Sequence, residues 1–222
     1  MDHPAPGSAP VSPPTNRWEP ALALLAAGGV SFALPPALSI GPHWLPFVVV
    51  AGLLIPTIVT HRRGHHSWNH FFGIMANAAI TLSVCGSLVQ LVVALPTRKE
   101  EPVTLLVSAL LLWGANILTF ALWYWRLDGG GPTVRRRRAP YGSRSFLFPQ
   151  LQIESGERKA MGADHWAPGF VDYLFLAFNT STAFSPTDTL VLAPWAKLLT
   201  MAQALISLLV LVLLVARGIN VL

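Results

Sequence analysis

The side chains with chemistry to offer gather in one stretch, residues 169–215. Asn179, Thr180, Ser181, Thr182, Ser185, Thr187 and Asp188 follow an apolar half-helix and precede a nearly uninterrupted apolar run. Hydroxyls and amides at membrane depth need helix partners or water, because lipid offers neither. Two kinds of chemistry fit them. In the first they line a polar path for an ion, with a ring of Asp188 at its entrance. In the second they lock helices together: Ser185 and Pro186 end one helix, and Asp188 lies near the positive N-terminus of the next. Asp172 is the acid inside the preceding apolar segment. At depth it would guard the cytoplasmic end of the path. In the interface it would answer the dipole of its own helix start.

Two further groups of titratable side chains stand apart from this stretch. His61, His65, His66 and His70 fall within ten residues, and both His61/His65 and His66/His70 have i,i+4 spacing, which on a helix can hold a metal. No carboxylate stands beside them to orient the rings. With Arg62, Arg63 and Trp68 adjacent, an interfacial belt on anionic lipid fits them better, with pH sensing as a further alternative. Arg135, Arg136, Arg137 and Arg138 form a run suited to anionic lipid headgroups, and cytoplasmic retention of their loop is enough to account for it. The net charge of +5 gathers between apolar segments, so it reads as a topology signal and no nucleic-acid partner is expected. Nucleophile–base pairs, zinc motifs and phosphate loops are missing from the sequence, so neither an enzyme nor a cofactor is expected. The lone Cys85 reads as a small buried residue and leaves no disulfide within the chain.

The elements that must position these groups are membrane helices. Hydrophobic residues make up 53% of the chain and charged ones 11%, with a mean hydropathy of +0.52. Soluble domains carry roughly 25% charged residues. The expectation is an all-α, polytopic membrane bundle. Residues 1–17, with five prolines, form a disordered tail. Residues 18–222 form one membrane domain with six spans, at about 21–40, 44–60, 71–95, 103–125, 169–187 and 194–216. Pro35-Pro36 breaks the first span, and Gly28-Gly29 allows close helix approach there. Asn77, Ser83, Ser87 and Gln90 of the third span should face other helices. Residues 128–168 are a basic cytoplasmic loop, in which the stretch 145–153 lies in the interface or packs under the bundle. Charge bias puts both termini in the cytoplasm of a cell-inner-membrane protein. Arg17, Arg62, Arg63, the arginine run, Arg144, Arg158, Lys159 and Arg217 are then inside; Arg98, Lys99 and Lys197 are outside. On this reading segment 169–187 crosses fully and delivers Asp188 to the outer face. A dip from the cytoplasmic face would move only Lys197 and Arg217. A path built from one subunit's last two helices is too narrow, so a homo-oligomer is expected.

Two resemblances bear on this stretch. Residues 173–198 are similar in layout to the pore helix, filter and inner helix of potassium channels. Thr182, Asp188, Trp195, Lys197 and Leu198 fall in roughly matching places. Ser185, Pro186 and Thr187 stand where that family has G-Y-G, so the resemblance implies a pore module without potassium selectivity. The order of elements also resembles an uncharacterised bacterial inner-membrane family, domain of unknown function 1345. The aromatic helix end 123–126, the D-G-G-G at 128–131, the helix 172–178, the turn 186–188 and the last helix end 216–220 carry that likeness. It implies fold and location, and no activity.

Overall fold

The computed structural model describes residues 18–39, 41–63, 66–94, 101–137, 145–160, 166–182 and 188–221. Proline sets the limits of the first helices. Helix α1 (Trp18–Ala33) carries Glu19 in its first turn, where a negative charge suits the dipole, and stops ahead of Pro35-Pro36. A short 3-10 turn, Pro36–Leu38, leads to α2 (Leu45–Arg62). Gly28 of α1 faces Val50 of α2, at the distance an ordinary side-chain contact would need. Pro56 lies inside α2, and Asn69 donates to the nearby Thr57 carbonyl at 2.6 Å. That bond ties α2 to α3 (His66–Ala94), and α4 (Pro102–Leu127) follows. Of the polar residues expected to face other helices, Asn77 and Ser87 are buried, while Ser83 and Gln90 are half-buried.

The chain leaves α4 through three glycines, Gly129, Gly130 and Gly131, all with positive φ (58°, 80° and 90°). L residues with side chains rarely adopt that conformation, so the D-G-G-G motif is what lets the chain turn under the bundle. Beyond it come α5 (Pro132–Arg137), β1 (Phe146–Leu147), α6 (Pro149–Gln152), α7 (Ser155–Ala160), α8 (Phe170–Thr182), β2 (Leu190–Val191) and α9 (Pro194–Val221). The described chain is all-α apart from the antiparallel pair β1–β2, with Phe146 opposite Val191 and Leu147 opposite Leu190. Three helical stretches, Ser67–Ala94, Pro102–Gly130 and Pro194–Val215, are long and apolar enough to cross a membrane. α1 and α2 are shorter apolar helices.

α4 is the central element and packs on α1, α3, α8 and α9. Contacts along the helices give their directions. Gly73, near the start of α3, meets Arg126, near the end of α4. Asn116 and Tyr124 of α4 meet Ser207 and Gln203 of α9 in reverse order. α2 and α4 therefore finish, and α3, α8 and α9 begin, at one end of the bundle, here called the basic end. The segment after the glycines plugs that end. Phe146 is fully buried between Tyr124, Tyr173 and Trp195, with ring centroids 5.3, 6.1 and 6.1 Å away. Phe148 sits 5.3 Å from Tyr173 and 5.7 Å from Trp166. Of the two positions expected for this stretch, the chain takes the one under the bundle.

One expectation is overturned here. Tyr173 of α8 and Trp195 of α9 both touch Phe146, and further along both helices Ala177 and Ser181 meet Gln203. α8 and α9 thus run side by side in the same direction. By Asp188 the chain is back at the end from which α8 set out: the Asp188 carbonyl accepts from Gln152 at 3.0 Å, and β2 pairs with β1. A full crossing of 169–187 would have made the two helices antiparallel. The physical reason is length. Thirteen helical residues rise about 20 Å, short of a ~30 Å hydrocarbon layer.

Candidate functional site

The polar contacts inside the bundle centre on one amide. Gln203 of α9 is fully buried. Its Oε1 accepts from the Tyr124 hydroxyl of α4, and its Nε2 donates to the Ala177 carbonyl and to Ser181 Oγ of α8, both at 2.7 Å. A single side chain so ties three helices together. One turn further along α9, Ser207 Oγ accepts from Asn116 Nδ2 at 2.8 Å. Gln203 and Ser207 are four residues apart and share a face, so the stripe they form turns inward while the rest of α9 stays apolar.

A second set of bonds fixes where α8 begins. Asp128 is fully buried: Oδ2 accepts from the Tyr173 hydroxyl at 2.7 Å, and Oδ1 accepts from the Ser145 N–H at 3.0 Å. Arg135 folds back beneath α4. Its Nη1 donates to the Trp125 and Asp128 carbonyls, both at 2.6 Å, which satisfies acceptors that a helix end leaves open. The Arg135 guanidinium also lies 5.1 Å from the centre of the Tyr173 ring, a cation–π distance. At the first turn of α8, Asp172 Oδ2 accepts from the Gly169 N–H at 2.7 Å, the reach-back of an N-terminal capping carboxylate.

The candidate residues are distributed around these contacts. Asn179, Thr180 and Thr182 lie half-buried in the last turns of α8. Thr180 donates to the Leu176 carbonyl at 2.8 Å and Thr182 to the Asn179 carbonyl at 3.2 Å. This part of α8 has reached the middle of α4, where Phe178 meets the ring of Trp113 at 6.2 Å. Asp188 is exposed at the basic end, so it does not stand across the bundle from Asp172; the two acids share one end. Ser185 and Thr187 lie outside the described residues, as do His65 and Arg138, and the side chains of His61, His66, Arg136 and Arg137 are not described either. His70 is half-buried beside Gly131. Among the described residues no group of three His, Cys, Asp or Glu is placed to hold a metal ion. Arg135 corrects the reading of the arginine run: it is buried, and its guanidinium is committed to two carbonyls and an aromatic ring instead of facing headgroups.

Sequence reasoning passed over Gln203, Ser207, Asn116, Tyr173 and Asp128 as members of one polar system. The i,i+4 pair Gln203/Ser207 in an otherwise apolar span was the available signal. Arg126 was also passed over, as the charge closing an aromatic helix end. It is 8% exposed, and its guanidinium fills the space a Cβ on Gly73 would need. No protein-family model, no curated protein and no solved structure matches the chain.

Proposed function

We propose that this chain is a multi-pass protein of the cell's inner membrane, not an enzyme, whose last module builds a channel-like or transporter-like ion path. The module is α8, the return to β2, and α9. The observation that carries this reading is the half-length helix: α8 ends its hydroxyl-bearing turns at the middle of α4, and the chain is back at the basic end by Asp188. A helix that stops at mid-depth leaves polar backbone there, and such backbone is tolerated where it lines a water-filled cavity or is buried in protein. Asn179, Thr180 and Thr182, with Ser185 and Thr187, are the candidates for the lining, and Asp172 and Asp188 stand at a common mouth. The likeness of 173–198 to a pore helix, filter and inner helix points the same way. Likeness to the family of domain of unknown function 1345 stays a proposal about location. Several copies are needed to enclose a path, because α9 presents most of its surface outward from a single chain: 17% of its most apolar window is buried.

The proposed topology has five crossings in place of six: α3, α4 and α9, which are long enough by themselves, and the shorter apolar pair α1 and α2. The N-terminus and the basic end are cytoplasmic and the C-terminus is on the opposite face. Arg63, Arg135, Arg158, Lys159 and Lys197 at the basic end support that orientation, since cytoplasmic faces hold the excess of Lys and Arg. Anionic headgroups are the proposed partners of the remaining arginine run.

A second reading, a non-transporting accessory protein, is favoured by a different observation. Ser181, Gln203, Ser207 and Asn116 spend their polar groups on one another. Ion flux through vesicles containing the purified chain separates the two. Conduction by the wild type, with selectivity altered in Thr182→Val and Asp188→Ala, is expected for a path. No flux, with those substitutions changing only thermal stability, would leave the accessory reading standing.

A further inference from the structure

Arg126 occupies a corner that an ion path does not use. It lies in the last turn of α4 and is more than nine-tenths buried. Its guanidinium rests against Gly73 of α3, in volume that any side chain at that position would take, so the glycine is what admits it. The Trp125 ring centre is 5.6 Å from Cζ. His70, one turn before Gly73, packs on Gly131, whose other close neighbour is the Arg126 carbonyl. The corner is thus formed by α3, the end of α4 and the glycine turn.

A buried guanidinium is costly unless an anion and acceptors answer it. Here Nε is sealed from solvent without an acceptor, and among the described residues no carboxylate pairs with the group. The nearby acids are engaged elsewhere: Asp128 with Tyr173 and Ser145, Asp172 with Gly169. The His70 ring, which shares the corner, brings no negative charge. Arg135, seven residues from the turn's start, shows how this protein satisfies a buried guanidinium when no ligand is needed: carbonyls and a ring do it.

We propose that the Arg126 corner is a binding site for a phosphate anion, a phosphate ester of an anionic lipid headgroup or free phosphate, held by the planar guanidinium. Arginine suits phosphate because its donors are fixed in one plane and its charge is permanent. The corner lies near the start of α3, where Trp68 and Phe71 are exposed and suit the headgroup layer. The site is independent of whether α8 and α9 conduct.

The test uses the full chain in phosphatidylcholine nanodiscs. One arm replaces a third of the lipid with phosphatidylglycerol; the other adds inorganic phosphate at constant ionic strength. Near-saturating ligand should raise the thermal midpoint by about 5 °C in at least one arm. A rise with phosphatidylglycerol alone identifies a headgroup, and a rise with phosphate identifies the free anion. Arg126→Gln should abolish the rise, and Lys159→Gln, an exposed basic residue of the same end, should keep it. No rise in either arm, or a rise that survives in Arg126→Gln, overturns the proposal. Should Arg126→Gln fail to fold, native mass spectrometry of the wild type decides. One phospholipid or phosphate adduct per chain supports the site, and a bare chain from both arms refutes it.

Discussion

α8 and α9 lie side by side and set out from the same end, yet they are held by opposite means. α9 has 28 residues and α8 has 13. α9 turns a narrow stripe inward, Ala196, Gln203, Ser207 and Val210, and presents Leu198, Leu205, Leu208 and Val212 outward. Only 17% of its most apolar window is buried in the protein, against 61% for α4. A helix of that length and apolarity can span a bilayer without depending on any one polar bond. α8 is too short for that. It is held by Asp128 at its start and Gln203 midway, with Tyr173, Leu176 and Ala177 buried between. A half-depth helix therefore depends on a few specific polar bonds, which single substitutions can remove, whereas its full-length neighbour does not.

The contrast can be broken most severely at Asp128. Asp128→Ala strips the acceptor from Tyr173 and from the Ser145 N–H together and should cost about 3 kcal/mol. In detergent that is a fall of about 8 °C in the thermal midpoint. A fall under about 2 °C would mean that the aromatic plug alone holds the start of α8. Gln203→Leu comes next, at about 2 kcal/mol, because it leaves the Ser181 and Tyr124 hydroxyls buried without a partner. Hydrogen exchange should quicken in α8 and not in α9; equal quickening in both would contradict the asymmetry. Ser207→Ala should cost about 1 kcal/mol, and a double-mutant cycle with Asn116→Ala should recover most of that as coupling. Additive losses would show that the 2.8 Å bond contributes nothing of its own. Leu208→Ala, on the outward face of α9, should stay within about 0.5 kcal/mol of the wild type. A larger loss would place that face in a protein interface.

The long helices were legible because apolar length is a local property: 71–95 and 103–125 lie within α3 and α4 to within a residue. Where α8 goes was not legible. Apolar residues followed by hydroxyls and an acid read equally well as a crossing of 169–187 or as a dip. The pairing of Phe146-Leu147 with Leu190-Val191 decides between them, and strands of two residues separated by more than forty positions leave no periodicity to read. Charge bias shares the weakness, since only Lys197 and Arg217 change sides between a crossing and a dip from the cytoplasmic face. Arg135 was misplaced for a related reason. Four adjacent arginines look alike in sequence, and it is the glycine turn that aims Arg135 back under α4. Gln203 was the opposite case, a lone amide in an apolar span whose inward bond needed only a question about which face it shared with Ser207.

The most direct measurement is the sidedness of Asp188. Single cysteines at Ser155, Asp188 and Ala37, all exposed positions, are introduced into a Cys85→Ala chain and challenged with an impermeant thiol reagent on intact cells. Ala37→Cys should be labelled at once, while Ser155→Cys and Asp188→Cys should both stay protected until the membrane is opened. Labelling of Asp188→Cys in intact cells, with Ser155→Cys still protected, would show that the chain crosses between them and would contradict the half-depth hairpin.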